Sequence, residues 1–138
     1  QTPESLVADV QLAARMKPSF VSSSPFIPNE NTPMEDAPCG NLERTLNTLA
    51  LYRILLPHAL IPSVSALEKI KPGGQLRGLM AGANGMTINF TPKNFRDKYA
   101  IYSKERFVVG LEYARNTVEQ AYTLQIVSRP GEKSGVCE

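Results

Sequence analysis

The sequence predicts an α/β fold in which parallel strands alternate with helices. Two observations carry this reading. Short apolar runs within residues 59–67 and 85–90 alternate with longer segments of helical periodicity, and Pro or Gly marks the junctions at Pro18, Pro57 and Gly82. The resulting order, α, β, α, β, α, β and then a mixed tail, is that of strands joined by helices, which implies a parallel sheet covered by helices. Right-handed crossovers of such units build either an open sheet or a piece of a barrel. With 138 residues, the whole chain reads as a single domain, 1–138.

The first helix is expected over residues 1–17. Thr2 suits the N-cap, Pro3 the first helical position and Glu4 the positive end of the helix dipole. Leu6, Val7, Val10, Ala13 and Ala14 form its apolar face, and Pro18 stops it. Phe20 and Val21 open a strand that runs to about Ser24, because Pro25 and Pro28 would each remove a ladder donor. A polar, proline-punctuated loop follows to Asn41, which caps a second helix running to Leu56. Leu42, Leu46, Leu49, Arg53 and Leu56 share one face there. Leu51 and Ile54 broaden the stripe to the width of a helix lying on a sheet.

A second strand is expected in residues 59–67, bounded by Pro57 and by the charged residues 68–71. A short helix follows Gly73 and Gly74, with Gly82 at its C-cap, and a third strand occupies 85–90. Residues 93–102 read as a loop with one helical turn, and 106–114 as strand-like. A last helix over 116–127 takes Asn116 as cap and Glu119 in the capping-box place, before a polar tail.

Composition excludes several function classes. Apolar residues make up 42% and charged residues 20%, as in an ordinary globular domain. A net charge of +2 with no Lys or Arg stripe argues against a nucleic-acid partner. No apolar run approaches the roughly 20 residues that span a bilayer, so no membrane partner is expected, and no signal-peptide pattern opens the chain. Cys39 and Cys137 are far apart and form no CxxC or Cys/His spacing. They read as free thiols of a reducing, cytoplasmic compartment, and no metal site is expected.

The residues that could carry chemistry have mostly structural explanations. His58, the one histidine, stands at a helix C-terminus, where a cation is favoured. The stretch Gly82-Ala83-Asn84-Gly85 follows a helix and lacks the spacing of a phosphate loop, so it reads as a turn. Glu35 and Asp36 read as solvated loop carboxylates. Tyr99 and Tyr102 would share a face on a helical turn, a spacing more often used for packing. No nucleophile–base set is legible. Bottom-up, the residues give a class and no reaction.

Several stretches together resemble a known family. They are Ser24-Pro25-Phe26-Ile27-Pro28, with Asn31-Thr32-Pro33 shortly after, then NLERTLNTLALYRILLPHALIPSVSAL, then GLMAGANGMTINFTP. The succession resembles the C-terminal half of the biotin synthase-like branch of radical S-adenosylmethionine (SAM) enzymes, the biotin and thiamin synthesis-associated (BATS) region. Within that branch it is most similar to the FeFe-hydrogenase maturase and methylornithine synthase side. The resemblance is clearest over about residues 24–102.

The resemblance implies the C-terminal portion of a (β/α)8 barrel, whose N-terminal half carries a CxxxCxxC loop, a 4Fe–4S cluster and SAM. That loop is not in this sequence. The chain alone is therefore expected to bind no cofactor and to be inactive, its partner being the N-terminal half, in the same or a separate chain. Since 138 residues fall short of the roughly 250 of a complete barrel and the first residue is Gln1, the resemblance implies that the chain is cut, processed or one part of a split protein.

By position, Ser24, Phe26, Ile27 and Pro28 are implied contacts of the SAM adenosine, Ile27 foremost. Ser63, Ser65, Thr87, Asn89, Tyr99 and Tyr102 are implied to line a cavity for a small polar or anionic substrate. Pro62 stands where biotin synthase has a cluster-ligating arginine, so sulfur insertion by that route is not implied. Val64 replaces a hydroxyl residue and Thr87 an apolar one, which makes the cavity polar in different places. The alternative expectation is a free-standing binding or assembly module that kept the fold and lost the chemistry. In either case the open strand edges of an incomplete barrel predict that the isolated chain self-associates.

Overall fold

Capping sets where the helices begin. In the computed structural model, which describes residues 1–96 and 107–127, α1 spans Pro3–Met16. The Thr2 hydroxyl accepts from the Ser5 N–H at 3.2 Å, and Pro3 occupies the first turn, where a missing N–H costs nothing. Backbone hydrogen bonding at this end, with a further bond from Thr2, holds the Glu4 carboxyl below its ordinary pKa. The helix ends at Lys17, whose φ of 49° is left-handed and whose N–H returns to the Ala13 carbonyl.

Helix α2 spans Leu42–Leu55, with the Asn41 carboxamide oxygen accepting from the Arg44 N–H at 2.9 Å. Its buried face is Leu42, Thr45, Leu46, Thr48, Leu49 and Tyr52. The broad stripe expected from the sequence is corrected here. At about 100° per residue, Leu51 and Ile54 lie well round the helix from Leu42, and Ile54 is 73% exposed.

Three chain segments then lie side by side, parallel and in sequence order. Phe20 bridges Leu60, with Val21 N–H donating to Leu60 O and Leu60 N–H to Ser19 O. Strand β1 (Pro62–Ser63) pairs with β2 (Gly85–Met86) in the register Pro62 to Gly85 and Ser63 to Met86. Downstream, Asn89 N–H donates to Val109 O at 2.9 Å, tying the extended residues 107–110 to the chain after β2.

The ladders are shorter than the sequence suggested. The first expected strand reduces to the bridge at Phe20, and the third to two residues. Strand β1 stops at Ser63 because α3 (Ser65–Ile70) begins immediately. There Ala66 and Leu67 are buried and Ile70 packs at helical spacing, which overrides the short apolar run read as strand.

Helix α4 (Gly74–Met80) follows Gly73 in a left-handed conformation, φ 81°. After it, Gly82 takes φ 119° beside the Arg53 stem, one place beyond the cap at Ala81. A short turn, α5 (Lys93–Arg96), matches the expected helical turn. The last helix, α6 (Leu111–Val127), begins five residues before the expected cap. Ala114, Thr117 and Ala121 form one buried face that extends back past Asn116, and Glu119 pairs with Arg115 at 2.9 Å instead of closing a capping box.

One core joins these elements, with Leu46, Leu49 and Tyr52 of α2, Ile61 before β1, Leu67 of α3, Leu79 of α4 and Ala121 of α6 at its centre. Among the described residues no helix is long and apolar enough to cross a membrane.

Candidate functional site

Because the three segments run parallel, the residues that follow each of them emerge at the same end of the sheet. Those residues are Ser23–Pro28 in chain order after the Phe20 bridge, Val64 and Ser65 after β1, and Thr87 to Thr91 after β2. In open α/β sheets and barrels alike, this is the end where ligands are held.

A cleft of about 470 Å³ opens here. Val64 and Ser65 form one wall, Thr87 to Thr91 the floor, and Phe107 and Val109 the opposite wall. Its polar side chains are the Ser65, Thr87 and Thr91 hydroxyls and the Asn89 carboxamide. The Asn89 oxygen is occupied by the Thr91 N–H at 2.8 Å, which leaves the amide N–H₂ as what Asn89 can offer. Among the described residues, no charged side chain lines the cleft. Hydroxyls and amides do not titrate near neutral pH, so these groups can orient a small molecule through hydrogen bonds rather than move protons as an acid or base.

A second cleft of about 590 Å³ lies between the N-terminal ends of α1 and α2. Ser23, Ser24, Pro25, Phe26, Cys39, Asn41 and Arg44 are among the residues lining it. Phe26 is 43% exposed, and its carbonyl accepts from the Gly40 N–H at 2.7 Å. Gly40 is needed for that approach, since a Cβ would stand 3.1 Å from the Pro25 backbone and closer still to the Phe26 nitrogen.

Of the residues singled out from the sequence, Ser65, Thr87 and Asn89 come together in the first cleft, and Ser24 and Phe26 in the second. Ile27 and Pro28 are half-buried beside the second cleft without lining it. Ser63, expected to line the same cavity, is not among the residues lining this cleft. It is fully enclosed, and its hydroxyl donates to the Gln75 carbonyl at 2.7 Å. Tyr99 and Tyr102 lie outside the described residues. His58 is exposed in a turn. The cation that satisfies the end of α2 is Arg53, whose guanidinium donates to the carbonyls of Pro57, Ala59 and Gly82 and, at 3.4 Å, of Leu56.

Four further residues make polar connections among the elements around the first cleft, a part the sequence did not suggest for them. Gln75 is fully buried, and its amide donates to the Ser63 carbonyl at 2.8 Å, closing a reciprocal pair with the Ser63 hydroxyl. Glu68 caps α4 from outside, accepting from Gly73 N–H at 2.8 Å and Gln75 N–H at 3.1 Å. The Tyr113 phenol is pushed up to about 12, first by burial and then by its hydrogen bond to Glu68 and that residue's charge. Arg53 joins α2 to the approach of β1, as above. The available signal was a polar residue on the buried side of a short helix, Gln75 one turn before Leu79. Without strand positions it had no partner to suggest.

Among the described residues, no three or more His, Cys, Asp or Glu side chains gather to hold a metal ion, and Cys39 is a free, exposed thiol.

Comparison with known proteins places these observations in a family. Residues 22–113 match the model of the Biotin and Thiamin Synthesis associated domain. The chain is 38% identical over 102 residues to the FeFe hydrogenase maturase subunit HydE of Thermotoga maritima, covering 74% of this chain and 29% of that protein. It is 30% identical over 69 residues to biotin synthase of Acinetobacter baumannii, covering 50% of this chain and 21% of that protein. The chain thus spans less than a third of the length of these relatives.

Proposed function

Since the chain belongs to the Biotin and Thiamin Synthesis associated (BATS) domain family, we propose that it is the C-terminal part of a radical SAM enzyme, supplying adenosine contacts and one wall of the cavity for a small polar substrate. The observation that carries this reading is the convergence of Ser65, Thr87 and Asn89 in one cleft beyond the ends of β1 and β2, with Ser24 and Phe26 emerging at the same end of the sheet. Parallel segments in sequence order, each followed by a helix, are what an arc of a (β/α)8 barrel would contribute. The remaining arc, carrying the CxxxCxxC loop, would come from the greater part of the protein's length that its relatives have and this segment does not span.

The residues in hand fit the two cofactors differently. An iron–sulfur cluster needs three or four thiolates, and the chain has two cysteines. The cluster would therefore be held elsewhere, and no step is assigned to it here. The adenosine of SAM fits the second cleft, where the exposed Phe26 ring offers a face to a purine and the neighbouring backbone offers polar groups. Ile27 and Pro28 would back that contact. When bound with its cluster, SAM would supply a 5′-deoxyadenosyl radical for abstraction of a hydrogen atom.

This chain's contribution to the chemistry is positional. Ser65, Thr87 and the Asn89 amide would orient acceptor groups of the substrate, while Val64, Ile88, Phe107 and Val109 keep water from the reacting centre.

The test uses the full-length protein, reconstituted anaerobically with iron and sulfide. The expected result is reductant-dependent release of 5′-deoxyadenosine, with Phe26→Ala raising the KM for SAM about tenfold, the cost of losing roughly one aromatic contact, and changing kcat far less. A coding sequence whose upstream region contains no CxxxCxxC, or an iron-loaded protein that never cleaves SAM, would overturn the proposal.

A further inference from the structure

One wall of the first cleft opens a helix that cannot hold its own start. Val64 and Ser65 line the cleft, and α3 begins at Ser65. With six residues, α3 is too short to be stable alone. Its N-cap is Val64, and no side-chain cap bond is made there. The position of Ser65 must therefore be fixed from outside α3. We propose that Gln75 is the positioning residue that fixes it, stapling the chain on both sides of Val64 and Ser65. The inference rests on the first cleft being the substrate cavity; the geometry of the staple is independent of that reading.

Both grips come from one residue. Upstream, the Gln75 Nε2 donates to the Ser63 carbonyl at 2.8 Å, and the Ser63 hydroxyl donates back to the Gln75 carbonyl at 2.7 Å. Downstream, the Gln75 N–H donates to Glu68 Oε2 at 3.1 Å. Glu68 lies one turn after Ser65 on α3. The segment 63–68 is thus held at both ends, with the two cleft-lining residues between them. Gly78, one turn after Gln75, lets α4 come close enough, since a Cβ there would overlap the Ser63 hydroxyl. Ser63 and Gln75 are fully buried, so water does not compete for the bonds between them.

The other half of the carboxamide shows which half the position uses. Gln75 Oε1 is buried and, among the described residues, meets no hydrogen-bond partner. An unpaired buried acceptor is destabilising, and an apolar side chain of similar length would fill the space without it. What glutamine adds over such a side chain is the donor, and the donor is directed at Ser63.

Hydrogen exchange on the full-length protein reads this wall without cofactor or substrate, so a cleft found to bind no substrate would leave the result intact. The reporter is the Leu67 amide, which donates to the Val64 carbonyl at 3.1 Å and closes the first turn of α3. Gln75→Met keeps the side-chain length and both main-chain bonds and removes only the carboxamide. It is expected to speed Leu67 exchange about tenfold, as loss of one buried hydrogen bond would. The Leu56 and Ala114 amides, bonded at the end of α2 and the start of α6, should exchange as before.

Gln75→Glu tests rescue, because a carboxyl can donate to the Ser63 carbonyl only while protonated. In that variant Leu67 protection, corrected for intrinsic exchange, is expected to match the parent at low pH. It should fall as pH rises through the carboxyl's titration, a dependence absent from the parent. Unchanged or slower Leu67 exchange in Gln75→Met would overturn the staple, since a residue that only fills the core gains by losing an unpaired oxygen. Equal acceleration at Leu56 and Ala114 would overturn it as well, by showing a global loss of stability. Protection in Gln75→Glu that does not vary with pH would show that the grip on the Ser63 carbonyl is not what holds the wall.

Discussion

At Gly78 the packing of a single residue decides whether β1 and α4 can lie together. A Cβ there would overlap the Ser63 hydroxyl and stand 2.8 Å from Leu67 Cδ1. Both neighbours are fully buried, and the Ser63 hydroxyl is committed to Gln75, so neither can yield easily. Alanine is the better helix former by about 1 kcal/mol, but overpacking a closed site costs about 1–3 kcal/mol, and the second effect wins. Gly78→Ala is therefore expected to lower stability by about 1–2 kcal/mol in urea denaturation. Ser63→Ala in the same chain should recover part of that loss, because it removes the atom in the way. Additive losses in the double variant would show that the strain lies elsewhere.

Among the elements, the joint between the end of α2 and the start of β1 concentrates the polar bonds. Arg53 and Asn84 both donate to the Ala59 carbonyl, at 3.2 Å each, and Asn84 also accepts from the Ile61 N–H at 2.7 Å. The two side chains thus brace one stretch of backbone between Leu56 and Ile61. Removing either leaves the other to hold it, so their effects should not add. Arg53→Met and Asn84→Ala are each expected to cost about 1–3 kcal/mol. Their double-mutant cycle should give a coupling of about 0.5–2 kcal/mol, measured by chemical denaturation. A coupling indistinguishable from zero would mean that Ala59 is held by one of them alone.

The same joint shows what was legible in the sequence. The caps Thr2 and Asn41 and the stops at Pro18 and Pro57 are local, so the helix limits near them were readable. Residues 65–67 were misassigned because so few residues carry too little periodicity to separate a strand from a helical turn, and the helix forms where Ala66 and Leu67 find the core. The start of α6 was missed for the converse reason: Asn116 looks like a cap locally, and tertiary burial of Ala114 carries the helix past it. In the candidate site, Ser65, Thr87 and Asn89 were found through family resemblance. Gln75, Glu68 and Tyr113 act only through partners distant in sequence, which spacing does not reveal.

For the whole molecule, what matters is which surfaces the fold leaves open. Phe20 bridges Leu60 on one side, and among the described residues no segment pairs with its other edge. Its side chain is 56% exposed, and Val7, Leu12 and Met16 of α1 are exposed as well. An unpaired edge beside exposed apolar side chains templates pairing with another chain. In a complete barrel the preceding strand would occupy that edge; in the isolated segment a second copy is the available substitute. The isolated 138-residue chain is accordingly expected to sediment as a dimer or larger species at concentrations of roughly 100 μM, in the range where exposed strand edges associate. Phe20→Lys places a charge on the edge while the bridge keeps its backbone bonds, because both are made by main-chain atoms. That variant should shift the distribution toward monomer without lowering the thermal midpoint by more than a few degrees, as expected of an exposed substitution. If the unsubstituted chain stays monomeric at high concentration, the edge is closed by other means and the arc is self-sufficient. If Phe20→Lys associates as strongly as the parent, the contact runs through another face, and the exposed side of α2 at Leu51 and Ile54 becomes the surface to substitute next.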